Sequence, residues 1–133
     1  MIGLNLTAAF LCGREALRVM KPRGRGKIIN IGSLSAQMPR NDTIAYATSK
    51  FGMEGMTRSL ALDGREHGVT ASIVHPGLTM SELAGDAVGQ AGPMLMEADT
   101  TARVVELMAA VPFDANLLTA TILPIAQPYL GRG

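Results

Sequence analysis

The sequence predicts an α/β fold built on a parallel β-sheet, and three observations carry that reading. Segments with the apolar period of a helix alternate with short β-branched, apolar runs, in the order helix, strand, helix, strand, helix, strand. The runs KIINIG (27–32) and TASIVH (70–75) look apolar on both sides, as strands covered by helices on both faces do. The chemically loaded residues, Gly32-Ser33 and Pro76-Gly77-Leu78-Thr79, come directly after those runs. Open parallel sheets gather their functional groups at the carboxyl ends of strands.

Each element follows in turn. Residues 4–20 carry Leu6, Phe10, Leu11, Leu17 and Met20 at helical spacings and predict an amphipathic or largely buried helix. The polar turn KPRGRG (21–26) stops it. Residues 27–32 are the first strand, and SLSAQMPRNDT (33–43) is a loop containing Pro39 and Asn41-Asp42. Residues 43–66 form a second long helix with Gly68 as its stop. Residues 70–75 are the second strand, bounded by Pro76-Gly77, and residues 78–98 are irregular. A third helix covers 99–110 and a last strand 117–124. No repeat and no linker interrupts the chain, so residues 1–133 read as one unit.

Composition narrows the function classes. A chain of 133 residues that is 47% hydrophobic and 17% charged has enough apolar mass for a core and is not disordered. A net charge of +1 predicts no nucleic-acid partner. The single cysteine, Cys12, excludes an internal disulfide, fits an intracellular, cytoplasmic setting, and lies in an apolar stretch that reads as core. The apolar start MIGLNLTAAFLCG has no basic residue before it and is too short to cross a bilayer, so neither a signal peptide nor a membrane anchor is expected.

The stretch AYATSK (45–50) places Tyr46 and Lys50 four residues apart in the second helix, hence on one face. Free tyrosine and lysine titrate near about 10 and 10.4, too high for proton transfer at neutrality. An ammonium held beside a phenol favours the phenolate, which would make the pair a proton-transfer device. Ser33 precedes Tyr46 by 13 positions, at a strand end from which the next helix folds back. Its hydroxyl can thereby come near the phenol.

Asn30-Ile31-Gly32-Ser33, then Tyr46-Ala47-Thr48-Ser49-Lys50, then ASIVHPG resembles the second half of a short-chain dehydrogenase/reductase. Gly32 stands where that family's typical text has a first serine. Asn5-Leu6-Thr7-Ala8, 28 residues before Ser33, is similar to the N-L-x-x that opens the family's preceding helix. The resemblance is strong over residues 1–83 and weaker in the tail ILPIAQPYLGRG.

The resemblance implies a Rossmann-like, doubly wound parallel sheet, of which about three strands and three helices are present. It implies hydride exchange between NAD or NADP and a small carbonyl or alcohol substrate. Tyr46 would be the proton donor and acceptor. Lys50 would favour its phenolate and hold the nicotinamide ribose. Ser33 would bind the substrate oxygen. Asn5 would hold a water that links Lys50 to solvent. Pro76, Gly77, Leu78 and Thr79 would border the nicotinamide. Residues 80–98, with Met80, Met94, Leu95 and Met96, would form a lid, although core packing explains those side chains equally well. The helices bearing Asn5 and Tyr46 would pair subunits in a homodimer or homotetramer.

The family's phosphate cradle, a glycine-rich turn that follows a strand and opens a helix, is not found in the sequence. The run GRG at 24–26 precedes a strand instead. The 133 residues therefore read as a partial NAD(P)-binding domain, a carboxyl-terminal half expected to bind cofactor weakly and turn over little on its own.

Three rival readings accompany this one. A non-catalytic half-domain would act only by pairing with another chain. The basic run KPRGRGK (21–27) resembles an AT-hook that lies in the DNA minor groove. Ser33 with His75 could serve a hydrolase, but the elbow G-x-S-x-G is not met and no acidic third member stands out.

Overall fold

The computed structural model describes residues 1–81 and 92–130. Its elements run α1 (Ala8–Met20), β1 (Gly26–Ile31), α2 (Ile44–Gly64), β2 (Val69–Pro76), α3 (Ala98–Ala110) and β3 (Thr119–Ile122). The strands form one parallel sheet in the order β1-β2-β3. Ile31 faces Val74 across β1 and β2, and Pro76 faces Ile122 across β2 and β3. Two bonds extend the ladders beyond the strand ends: Gly32 N–H donates to the Val74 carbonyl and Gly77 N–H to that of Ile122, both at 2.7 Å. The expected α/β alternation is therefore present, with a loop and a single 3-10 turn, Leu34–Ala36, between β1 and α2.

Burial decides which strand is central. Val69, Ala71, Ile73 and Val74 of β2 are all buried, as a strand paired on both edges and covered by helices must be. Leu17 of α1 and Leu60 of α2 close over Val69 and Ala71, flanked by Met20, Ile28, Met56 and Ala61. Asn30, a polar residue inside β1, is tied to α2: its side chain donates to Thr57 Oγ1 at 2.9 Å, and Thr57 donates to the Met53 carbonyl at 2.8 Å.

The turns that feed β1 and β2 lie side by side. Gly24 and Gly68 both take φ +67°, in the left-handed region that ends a helix at low cost only for glycine. A Cβ on Gly68 would lie 2.2 Å from the Gly24 carbonyl oxygen, so the two turns pack backbone to backbone. The basic run is part of this arrangement. Lys21–Arg23 forms a 3-10 turn at the end of α1, and Lys27 donates to the Val111 carbonyl and sits 5.2 Å over the Phe113 ring.

Several side chains differ from expectation. Cys12 is exposed, not core, as are Phe10 and Leu11. Helix α1 buries Gly13 and Leu17; Leu11 and Cys12 fall on other sides of it, while Phe10, seven residues before Leu17 and so on the same side, is exposed all the same. The helix also begins differently: Gly3–Thr7 is a π-helical turn. The segment 78–98 is not wholly irregular. Thr79 pairs with Met96 in a parallel bridge, Met80 N–H donates to the Met96 carbonyl at 2.9 Å, and Met96 N–H donates to that of Leu78 at 3.0 Å. Residues 82–91 of the expected lid lie outside the described residues. No helix among the described residues is long and apolar enough to cross a membrane.

Candidate active site

A cavity of about 520 Å³ opens at the carboxyl ends of β1 and β2. Ser33, Tyr46, Lys50, Pro76, Gly77, Leu78 and Thr79, seven of the residues singled out from the sequence, line it together. They arrive from three directions. Ser33 comes from the end of β1, Tyr46 and Lys50 from the first turns of α2, and residues 76–79 from the end of β2.

The local geometry leaves the reactive atoms open. Ser33 has extended backbone, and its Oγ accepts from Ser35 N–H at 3.1 Å, capping the short turn that follows. Among the described residues neither Ser33 Oγ–H nor Tyr46 Oη donates to a protein acceptor, so both can serve a ligand. Lys50 Nζ donates to the Ile31 carbonyl at 2.9 Å and lies 5.7 Å from the Tyr46 ring centroid. Burial holds the Lys50 ammonium below the usual lysine range. The residues after β2 are fixed by the chain's own tail: Leu78 N–H donates to Gln127 Oε1 at 2.8 Å, and Thr79 Oγ1 donates to the Gly77 carbonyl at 3.1 Å. A Cβ on Gly77 would lie 2.8 Å from Leu123 Cβ and 2.9 Å from Pro124 Cδ, as well as 2.3 Å from that same Gln127 oxygen, so glycine fits there without a shift of its neighbours.

Asn5 is not among the cavity-lining residues. It lies in the π-helical turn, and its side chain donates to Ser49 Oγ at 3.3 Å. Ser49 in turn donates to the Tyr46 carbonyl at 2.7 Å, so Asn5 reaches the helix that carries Tyr46 and Lys50. Of the expected lid residues, Met80, Met94, Leu95 and Met96 are absent from the described wall of the cavity.

Sequence reasoning missed other parts of the wall. Met38 and Arg40 come from the loop before α2, and Gln127 and Tyr129 from the tail. Tyr129 Oη donates to Gln37 Oε1, joining the tail to the loop before α2. Nothing local in the sequence marks these residues, because the contacts span 49 and 92 positions. His75 was legible only as a strand-end histidine. It is fully buried, and its Nε2 lies 2.5 Å from Glu54 Oε2. Its Nδ1 meets the backbone of Ser33, not the hydroxyl, so the Ser33–His75 contact is not that of a nucleophile and its base.

A family model described as short chain dehydrogenase matches residues 1–91. The chain belongs to the short-chain dehydrogenase family. The 3-oxoacyl-[acyl-carrier-protein] reductase MabA of Mycobacterium avium is 34% identical over 132 residues, 94% of this chain and 52% of that protein. This short-chain dehydrogenase chain thus spans about half the length of the curated relatives it matches. Serine dehydrogenase from Escherichia coli superimposes with a TM-score of 0.83 at 25% identity, over 97% of this chain and 54% of that one. The closed form of serine dehydrogenase complexed with NADP+ gives 0.89 at 23% identity, covers 100% of this chain and 58% of that one, and attests the shared fold.

Proposed function

We propose that these residues form the reacting half of a nicotinamide-dependent oxidoreductase acting on a small carbonyl or alcohol. One observation carries the reading. A hydroxyl donor, a phenol, a partly buried ammonium and an ordered backbone turn converge on one cavity at the carboxyl ends of parallel strands. Family membership and the nicotinamide cofactors named for solved relatives, NADP+ in one and NADH in another, support the cofactor class.

The described residues fit one end of such a cofactor. Lys50 Nζ and Tyr46 Oη would hold the ribose hydroxyls next to the nicotinamide, and Pro76, Gly77, Leu78 and Thr79 would border the ring. When bound, the nicotinamide supplies or takes the hydride. The protein's own part is proton transfer and charge. Tyr46 Oη gives its proton to the developing alkoxide in reduction, and takes it back in oxidation. The Lys50 ammonium favours the phenolate that results. Ser33 Oγ–H donates to the substrate oxygen as it gains charge. Asn5, linked to α2 through Ser49, would hold a water that connects Lys50 to solvent.

Titration with NADH and with NADPH, followed by backbone amide signals, tests the assignment. Shifts are expected at Ser33, Lys50 and Gly77 to Thr79, and their loss in Lys50→Met. Shifts confined to the Gly24–Gly26 turn, at the opposite ends of the strands, would contradict it.

A further inference from the structure

Among the described residues His75 is the largest fully buried side chain with polar atoms, and the chemistry above does not use it. A buried imidazole needs partners for both nitrogens. Nε2 faces the Glu54 carboxylate at 2.5 Å, and a carboxylate only accepts, so Nε2 carries the hydrogen. Glu54 is itself satisfied: its other oxygen accepts from Arg58 at 2.8–2.9 Å. That leaves Nδ1, which lies 3.2 Å from Ser33 N and 3.0 Å from Ser33 O. A neutral ring accepts from the Ser33 N–H, whereas a charged ring donates to the Ser33 carbonyl. In either state the ring is bonded to the Ser33 peptide.

The fit is steric as well. A Cβ on Gly32 would lie 2.4 Å from His75 Nδ1 and 2.7 Å from its Cε1. Position 32 therefore has to be glycine while histidine occupies position 75, and a serine at 32 would need a smaller residue there. Gly32 and His75 are matched to each other.

From these contacts we infer that His75 is a positioning residue, held by Glu54, that fixes the Ser33 peptide and so aims the Ser33 hydroxyl into the cavity. The inference rests on the proposed role of Ser33 for its meaning in catalysis, but its geometry stands without it. The chain of contacts runs from surface to site: Arg58, Glu54, His75, Ser33. Arg58, Glu54 and Lys50 share one face of α2 with Tyr46, at intervals of four residues. One helix would thus hold the proton donor directly and the serine through an intermediary.

Amide hydrogen exchange on the 133-residue chain tests this without substrate or cofactor. The Ser33 amide is the probe. The neighbouring Gly32 amide, bonded to the Val74 carbonyl at 2.7 Å, is the internal control for opening of the strand end. His75→Phe keeps a ring and removes both nitrogens. It is expected to speed Ser33 exchange about tenfold, the scale of one lost hydrogen bond, with Gly32 little changed. His75→Asn returns a polar group near the Nδ1 position and should restore most of the protection. His75→Gln places its amide near Nε2 and should not. Equal acceleration of Ser33 and Gly32, or no difference between the Asn and Gln variants, would overturn the inference; the Asn and Gln pair decides it should the Phe variant not fold. The Gly32→Ala variant adds a second arm. Its destabilisation should shrink in a His75→Ala background, where the remaining close neighbour is Ile73 Cδ1 at 3.0 Å. Full protection of Ser33 in a chain whose Lys50 and Gly77–Thr79 amide signals do not shift even at millimolar NADH or NADPH would count against the proposed function and leave the role of His75 standing.

Discussion

Lys50 shows at the scale of one residue how this site trades comfort for reactivity. Its ammonium is drawn partly out of water, and burial lowers its affinity for the proton. The sign of the consequence is fixed. Between its lowered folded value and the ordinary 10.5, the unfolded chain binds more protons than the folded one. The Lys50 contribution to stability therefore rises with pH through that window, and the full cost of the buried charge is felt below it. Urea unfolding of the parent and of Lys50→Met over this range should show the difference moving in the parent's favour as pH rises. A difference that is flat, or that moves the other way, would mean that Lys50 is solvated as an ordinary surface lysine. Ser33 makes the complementary point. Its residue type and position were legible in the sequence, but its backbone partner, His75, lies 42 positions away and was not.

Among the elements, α2 is the one best read from sequence. The interval of four that relates Tyr46 to Lys50 continues to Glu54 and Arg58, so one helical face runs from the cavity to the ion pair behind it. The strands were equally legible, because short β-branched, apolar runs bounded by turn residues have few other readings. Helix α1 was less so. Periodicity identified the helix but not which of its apolar residues are buried, and Phe10, Leu11 and Cys12 are exposed. The π-helical turn at Gly3–Thr7 had no sequence signal at all, since backbone hydrogen-bond registry leaves none. Turn glycines were legible for a physical reason that can be checked. Gly68→Ala forces a Cβ into the left-handed region and against the Gly24 carbonyl. It should lower unfolding free energy by more than about 1 kcal/mol. Gly55→Ala, where open space surrounds the site within α2, should stabilise by about 0.5–1 kcal/mol. Equal effects at the two positions would refute this reading of the turn.

For the molecule as a whole, the sheet order β1-β2-β3 sets both what is present and what is not. β2 is central and mostly buried, whereas β1 and β3 each have a second edge that no described strand covers. The cavity lies at the carboxyl ends of β1 and β2, and the glycine-containing turn at Gly24 and Gly26 lies at the other end of β1. The described residues thus fit the nicotinamide side of a dinucleotide, with no glycine-rich cradle for its phosphates among them. The 133-residue chain is accordingly expected to bind NADH and NADPH with dissociation constants well above micromolar, and calorimetry on the purified chain checks this. A micromolar constant would show that a phosphate site exists elsewhere in it. The central claim concerns proton transfer by Tyr46. It is tested most directly by ketone-dependent oxidation of NADH and NADPH at saturating cofactor, comparing the native polypeptide that carries these residues with its Tyr46→Phe variant. The account predicts that kcat falls by about 10²–10⁴-fold while the fold, followed by circular dichroism, is retained. Near-normal turnover in the Phe variant would contradict it and remove Tyr46 from the chemistry.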